Sequence, residues 1–418
     1  MMNERAVDKG SVSRRIYLGD IRIADVALVV YMIAVTAFSS GSLPVQLSRV
    51  FLVCGAVTEL KREKYHPSKF ELWQVLFAAY VAASSLWAFD LTSARSIAST
   101  VAINAVCVMC IAYILRCDSK RVYILLVCMM VAPLLLMLNV AATDGLLAFS
   151  DSRGTDSFSA NTVGMTAAFG SCLAGYCLIE KKIMSIGISG IVFLLDLIVV
   201  VLSASRKAIL IVILAFVLYM LLKSRGNGAK LFFRLLIAML VVLACFFAIM
   251  NVPFLYNMVG YRIESMIVGF FGGEGADAST STRMGLVEHG IDFFFMSPVI
   301  GHGGANFSAL DAAYFNANRG YYAHNNFIEV LTDYGLIGFV LYYWIYILMI
   351  MHSIVKIKTL SSIQLAVFSL LLTLLIVEYG FVSYYDRFFQ VFLAMSYYVL
   401  LSNPSEETLS PRWQSNKV

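Results

Sequence analysis

The sequence predicts an all-α, polytopic membrane protein: a bundle of about twelve transmembrane helices with one large external loop between spans nine and ten. Three observations lead there. Of the 418 residues, 60% are apolar and only 14% are charged, against about 45–50% and about 25% in soluble domains. The apolar residues form continuous runs instead of alternating, which suits helices and argues against a membrane β-barrel. Lysine and arginine gather in alternate loops. A soluble enzyme, a disordered chain and a fibrous protein are excluded. The net charge of +5 concerns topology, not nucleic acid.

The N-terminal segment is polar as far as Asp20. No small-residue cleavage site follows a short apolar core, so the first run, at about 23–39, reads as an anchor and not as a removed signal. Further runs lie at about 44–60, 70–89, 95–115, 122–142, 161–179, 185–203, 207–222 and 231–251. After a long gap come 325–352, 360–382 and 387–402. Each is near the ~20 residues that a helix needs to cross a bilayer. With twelve spans, the loops on one side carry 22 of the 31 lysines and arginines, and those on the other carry 8. That places both termini in the cytoplasm and leaves a single membrane domain, 1–418. All eight cysteines fall inside or at the ends of apolar runs, Cys107-x-x-Cys110 included. They read as packing, and no structural disulfide is expected.

Two external segments are long. The first, about 143–160, is polar and holds Asp144, Asp151, Arg153 and Asp156. The second, 252–324, forms the large loop. Within it Met284, Val287, Ile291 and Phe294 recur at helical spacing. Thr282 can cap the start and Pro298 stops the run, so an amphipathic helix at the outer surface is expected, opened by Arg283.

The outer face has few basic residues, and they sit at helix ends. Ser205-Arg206-Lys207 occupies the tight turn between spans seven and eight, against the positive-inside tendency. Arg206 either snorkels to lipid phosphates or serves an anion site, for which a planar guanidinium is suited. Arg283 is either a solvated helix-end charge or an anion ligand beside helix amides. His324, in Tyr321-Tyr322-Ala323-His324-Asn325, stands at the outer mouth of span ten. A histidine titrates near about 6.5 and accepts protons at ordinary pH; capping of the helix start is the plainer role. Glu329 and Asp333, four residues apart, either orient the histidine or favour the helix N-terminus. His289, His302 and His324 match no metal-binding spacing, and the glycine groups Gly272-Gly273-x-Gly275 and Gly301-x-Gly303-Gly304 follow no strand, so neither metal nor nucleotide is expected. Arg49, Asp196 and Glu378 lie inside spans, as buried pairs holding helices together or as a proton path.

Several motifs in order carry a resemblance: Arg153 with Ser-Ala-Asn161-Thr-Val-Gly164; Ser205-Arg206-Lys207-Ala; Arg283 through Ser297-Pro298-Val-Ile-Gly301-His-Gly-Gly304-Ala-Asn306; and His324-Asn325-Asn-Phe-Ile-Glu-Val-Leu-Thr-Asp-Tyr-Gly335-Leu-Ile-Gly338. Together they resemble the O-antigen polymerase/ligase family of bacterial envelopes (Wzy and WaaL type) over about 150–340. The resemblance implies a GT-C-like helical fold and transfer of a glycan from an undecaprenyl-pyrophosphate donor at the outer face, without cofactor or metal. Carried over residue by residue, it implies pyrophosphate binding by Arg206, Arg283, Arg153 and Lys207, and a base at His324 with Asn325, Glu329 and Asp333 around it. Arg153 departs most from the family, since Ser-Ala-Asn161 stands where Asn-Pro-Asn is common. Membrane lipids, a flippase and a chain-length regulator are the implied partners. The Ser-Arg-Lys-Ala spelling favours a polymerase of O-antigen, capsule or exopolysaccharide over a ligase to lipid A core, protein or wall. A small-solute transporter is the alternative of another class; it would place its charges and broken helices at the bilayer midplane.

Overall fold

The computed structural model describes residues 21–60, 65–151, 154–155, 158–181, 183–224, 228–270, 278–315 and 320–401. In chain order the helices are α1 (Ile23–Ala37), α2 (Leu43–Leu60), α3 (Lys69–Ala83), α4 (Leu91–Cys117), α5 (Arg121–Thr143), the short α6 (Ala148–Asp151), α7 (Ala160–Glu180), α8 (Ile186–Leu202), α9 (Arg206–Lys223), α10 (Gly228–Asn251), the short α11 (Pro253–Leu255), α12 (Tyr261–Phe270), α13 (Ala278–Met296), α14 (Phe307–Tyr314), α15 (Asn326–Val355), α16 (Ser362–Val377) and α17 (Arg387–Leu401). Among the described residues there is no strand, only one isolated bridge between Gly154 and Ser159. The all-helical expectation holds among the described residues, and each expected span overlaps a helix.

Among the described residues, six helices are long and apolar enough to cross a membrane: α2, α4, α5, α7, α15 and α16 with its extension to Gly380. The helices α1, α8 and α17 are apolar but shorter. Their starts follow from the sequence. Ser68 with Glu71 and Ser361 with Gln364 form capping boxes on α3 and α16, and Ser159 and Ser185 accept from the Thr162 and Ile188 amides. Such caps satisfy amides that have no carbonyl four residues back.

Helix α7 sits among α5, α8, α9 and α16 and is buried over most of its length. Its glycines explain how. A Cβ on Gly164 would come within 2.4 Å of Ser203 Oγ, and one on Gly175 within 2.4 Å of the Phe216 ring. Small residues let helices approach where no water drives them together. Outward, Leu43, Leu47 and Val50 of α2, Ile188, Ile191 and Leu194 of α8, and Phe233, Ile237 and Leu240 of α10 are exposed. Such faces are covered by lipid, and they belong to a multi-pass membrane protein.

The helices alternate in direction. At one end the start of α1, the ends of α2 and α4 and the start of α5 meet at buried Arg121. It donates to Asp25 at 2.6 Å, to Glu59 at 2.7 Å and to the Ile114 carbonyl at 3.1 Å. Lys223 at the end of α9 pairs with Glu180 at the end of α7, and Arg116 with Glu71 at 3.3 Å. These pairs, not Arg49, Asp196 or Glu378, hold helix ends together. Glu378 instead accepts from Tyr343 at 3.1 Å, Tyr346 at 2.8 Å and Ser383 at 2.5 Å. Asp196 is buried with no hydrogen-bond partner among the described residues.

Helix α15 corrects the expected span 325–352. Gly335 has φ 61° and ψ −166°, and the chain doubles back there. Asn326 Nδ2 donates to the hydroxyl of Tyr343, 17 residues on, at 2.8 Å; a continuous helix would hold them about 25 Å apart. The crossing helix is therefore Leu336–Val355, about 30 Å long, preceded by a short arm that rises beside it. The segment 298–303 fills the break. His302 and Gly303 amides donate to the Thr332 and Asp333 carbonyls, and the Pro298 and Val299 carbonyls accept from Leu336 and Ile337, all within 3.2 Å. Irregular backbone at such a place must find protein partners. The apolar run hid the break, because Gly335 inside it reads as a tolerated helix glycine.

Candidate active site

The segment between α10 and α15 is built on α13. Its start at Ala278 corrects the expectation that Arg283 opens the helix with Thr282 as cap. Serine and threonine are only modestly poorer helix formers than alanine, so the helix runs back through 279–282 and Arg283 lies in its second turn. One face packs inward: Leu286 and Phe293 join Phe307, Leu310 and Ala323 in a small core. Gly290 lets Ile328 and Phe307 close in, since a Cβ there would meet them at 2.1 and 2.9 Å. Met284 and Ile291, on the predicted apolar stripe, are exposed.

Arg206, Lys207 and Arg283 come together in one pocket with Ala160, Asn161, Ala204 and Ser205. Three elements position them. Ser203 donates to the Val200 carbonyl at 2.7 Å and Ala204 takes φ 49°, so the turn between α8 and α9 is sharp. Ser205 precedes α9 without capping it by its side chain; its hydroxyl donates to Asn161 Oδ1 at 2.9 Å. Gly164, one turn on from Asn161, leaves room for this turn. The spacing of Asn161 and Gly164 is thus the seat of the Ser-Arg-Lys turn. The helix N-terminus in the pocket is that of α9, whose first residue is Arg206. The amide contribution expected from α13 comes from α9 instead. Lys207 Nζ donates to the Gly380 carbonyl, tying the turn to the loop after α16. Arg153 lies outside the described residues, as do Asp156 and Gly272–Gly273–Gly275.

His324 does not line this pocket. Because α15 folds back, the histidine does not stand at the end of a continuous span: Asn326 sits level with Tyr343, about 12 Å of helix from Gly335. Tyr322 connects histidine and pocket. Its ring centroid is 3.8 Å from that of His324, and it lies in the field of the Arg283 guanidinium. Burial raises the Tyr322 phenol above its ordinary value, and Arg283 opposes that. Tyr322 was readable two residues before His324, but nothing in the spacing said that Arg283 would act on it. His324 has φ 53°, a conformation that costs a non-glycine residue and clusters at functional sites.

Of the expected orienting residues, Asn325 and Glu329 act on the backbone around His324 and Asp333 on residues 305–307. Asn325 caps α15, accepting from Phe327 at 3.0 Å and Ile328 at 3.2 Å. Buried Glu329 accepts from the Ala323 amide at 2.6 Å and so fixes the residue before the histidine. Buried Asp333 accepts from the amides of Ala305, Asn306 and Phe307 at 2.7, 3.0 and 3.0 Å, which anchors the glycine segment and α14. The other two histidines between α10 and α15 are held by protein partners: His289 bonds Asp311 at 2.8 Å and stacks on Phe315, and His302 bonds the Phe293 carbonyl at 2.8 Å.

An all-helical bundle with a pocket of two arginines and a lysine at the N-terminus of α9 is suited to holding an anion. Residues 191–343 match the model of a family described as O-antigen ligase (Wzy_C). The match supports the O-antigen polymerase/ligase family, and hence a general glycosyl-transfer enzyme. It contains Arg206, Lys207, Arg283 and the whole His324 arm, and leaves out Arg49, Arg153 and Arg387. No curated protein matches the chain.

Proposed function

We propose that this protein is a glycosyltransferase of the bacterial inner membrane that polymerises lipid-linked repeat units at the outer face. The observation that carries this reading is the convergence of Arg206 and Lys207, which precede the large loop, with Arg283 from within it, at the N-terminus of α9. The donor is a glycan on undecaprenyl pyrophosphate; its two phosphates sit on Arg206 and Arg283. An acceptor sugar hydroxyl attacks the anomeric carbon, the bond from that carbon to the pyrophosphate oxygen breaks, and the hydroxyl proton passes to the His324 imidazole. The leaving pyrophosphate gathers charge as the bond breaks, and preorganised cations lower that barrier most. Attack opposite the leaving group inverts the anomeric centre. Neither a nucleotide sugar nor a metal takes part.

This orientation places the 252–324 loop outside and both termini in the cytoplasm. A flippase supplies the lipid-linked unit and a chain-length regulator limits the product. The family's printed description favours a second reading, a ligase that moves the finished glycan to another acceptor; the chemistry at the pocket is the same. The break in α15 resembles a transporter feature, but its freed backbone groups are already paired with 298–303, which disfavours an ion path there. The test is to supply purified protein with lipid-linked repeat units alone. A ladder of products supports the polymerase. Transfer only when a different acceptor is added would replace it with the ligase.

A further inference from the structure

A carboxyl group buried at the end of an apolar helix needs its oxygens satisfied by the protein. Glu378, where α16 gives way to the short turn Glu378–Gly380, is fully buried, and the chemistry proposed above gives it no part. It closes a ring of hydrogen bonds. One of its oxygens accepts from the Tyr343 hydroxyl at 3.1 Å, and that hydroxyl accepts from Asn326 Nδ2 at 2.8 Å. The other end of the same amide, Asn326 Oδ1, accepts from the Ser383 and Tyr384 amides at 2.9 and 3.2 Å. The Ser383 hydroxyl returns to the second Glu378 oxygen at 2.5 Å. Tyr343, Asn326 and Ser383 are buried as well.

The ring reaches both halves of the site. Asn326 stands two residues after His324, and on the other side Glu329 holds the Ala323 amide at 2.6 Å, so the histidine is clamped between Ala323 and Asn326. Gly380, two residues after Glu378, accepts through its carbonyl from Lys207 of the arginine pocket. The segment that Glu378 opens thus touches the anion pocket at Gly380 and the histidine arm at Ser383 and Tyr384. A fully satisfied buried network rigidifies what it joins, and a misplacement of about 1 Å at a reacting group can cost about 10²-fold in rate.

We propose that Glu378 is a positioning residue: through Tyr343 and Ser383 it holds Asn326, and so sets the His324 imidazole against the anion bound at Arg206 and Arg283. This rests on the transferase reading, in which His324 takes the acceptor proton.

The test compares two tyrosines on the same carboxylate. Tyr343 bonds both Glu378 and Asn326; Tyr346 bonds Glu378 at 2.8 Å but has no hydrogen bond to Asn326 among the described residues. Purified full-length protein in maltoside detergent is given lipid-linked repeat units, and kcat and KM are measured with the thermal midpoint. Tyr343→Phe should lower kcat by about 10–100-fold with KM for the donor unchanged, while Tyr346→Phe should leave kcat close to the wild-type value. Glu378→Gln keeps an acceptor for Tyr346 and Ser383, places an amide donor at Tyr343, and should act as Tyr343→Phe does. Full kcat in Tyr343→Phe or Glu378→Gln, equal losses in the two tyrosine variants, or a loss carried by KM would overturn the proposal and leave the ring as a brace between α15 and α16. A second readout needs no substrate: the rate at which diethyl pyrocarbonate labels His324, followed by peptide mass spectrometry. It should change in Tyr343→Phe and Glu378→Gln and stay at the wild-type value in Tyr346→Phe. Wild type that forms no product would sink the transferase reading, and that labelling pattern would still uphold the positioning; identical labelling in all four proteins would end it.

Discussion

Arg206 and Arg283 are 77 positions apart in the chain, yet they line one pocket. Their residue types and their places near helix starts were legible in the sequence; their meeting was not, because it depends on where α13 lands. The prediction at this scale follows from the pocket. Arg206→Ala and Arg283→Ala should each abolish polymer, while Arg206→Lys keeps part of it. Losing one charge-assisted phosphate contact costs about 1.5–3 kcal/mol, more than tenfold in rate. Full activity in either alanine variant would make that arginine a surface charge. His324 is the other residue-scale test. His324→Ala should slow transfer by about 10²–10⁴-fold and leave lipid-linked units accumulating, with donor binding intact. The wild-type rate should fall on the acid side, because a protonated imidazole cannot accept the hydroxyl proton. A pH profile that is flat there, together with normal ladders from the variant, would remove the base. Glu329 and Asp333 were chosen for helix spacing toward the histidine; their hydrogen bonds go to Ala323 and to 305–307, a placement that periodicity alone does not encode.

Among the elements, the helices were legible nearly throughout, because a run of apolar side chains leaves the backbone no alternative inside lipid. What failed was α15, where a single glycine reverses the chain. Its first arm carries Glu329, Thr332 and Asp333, polar for a lipid-facing turn, and that was the available signal. Gly335 is needed on two counts: φ is positive, and a Cβ would lie 2.5 Å from the Val299 carbonyl carbon. Gly335→Ala should therefore lower the thermal unfolding midpoint by an amount matching about 2 kcal/mol or more and reduce transfer, since the arm carries His324. Gly285→Ala, with nothing within 4 Å of the added carbon, should be neutral or stabilising by up to about 1 kcal/mol. Equal midpoints for the two variants would refute the fold-back as a structural requirement.

On the scale of the whole molecule, charge segregation predicts the orientation and the helix-end contacts agree with alternating directions. Glu288 on α13 and Thr359 after α15 are both exposed and lie at opposite ends. In a cysteine-depleted background, Glu288→Cys should react with an impermeant thiol reagent on intact cells, and Thr359→Cys only after permeabilisation. The reverse pattern would put the arginine pocket in the cytoplasm. The central claim, that the Arg206–Arg283 pocket and His324 transfer a lipid-linked glycan, is tested most directly by reconstitution. Purified full-length protein is incubated with lipid-linked repeat units and a chelator, and the products are resolved by length. The account predicts a ladder from wild type, none from Arg283→Ala and a trace from His324→Ala. No product from wild type until a divalent metal is restored, or the same ladder from all three proteins, would contradict it.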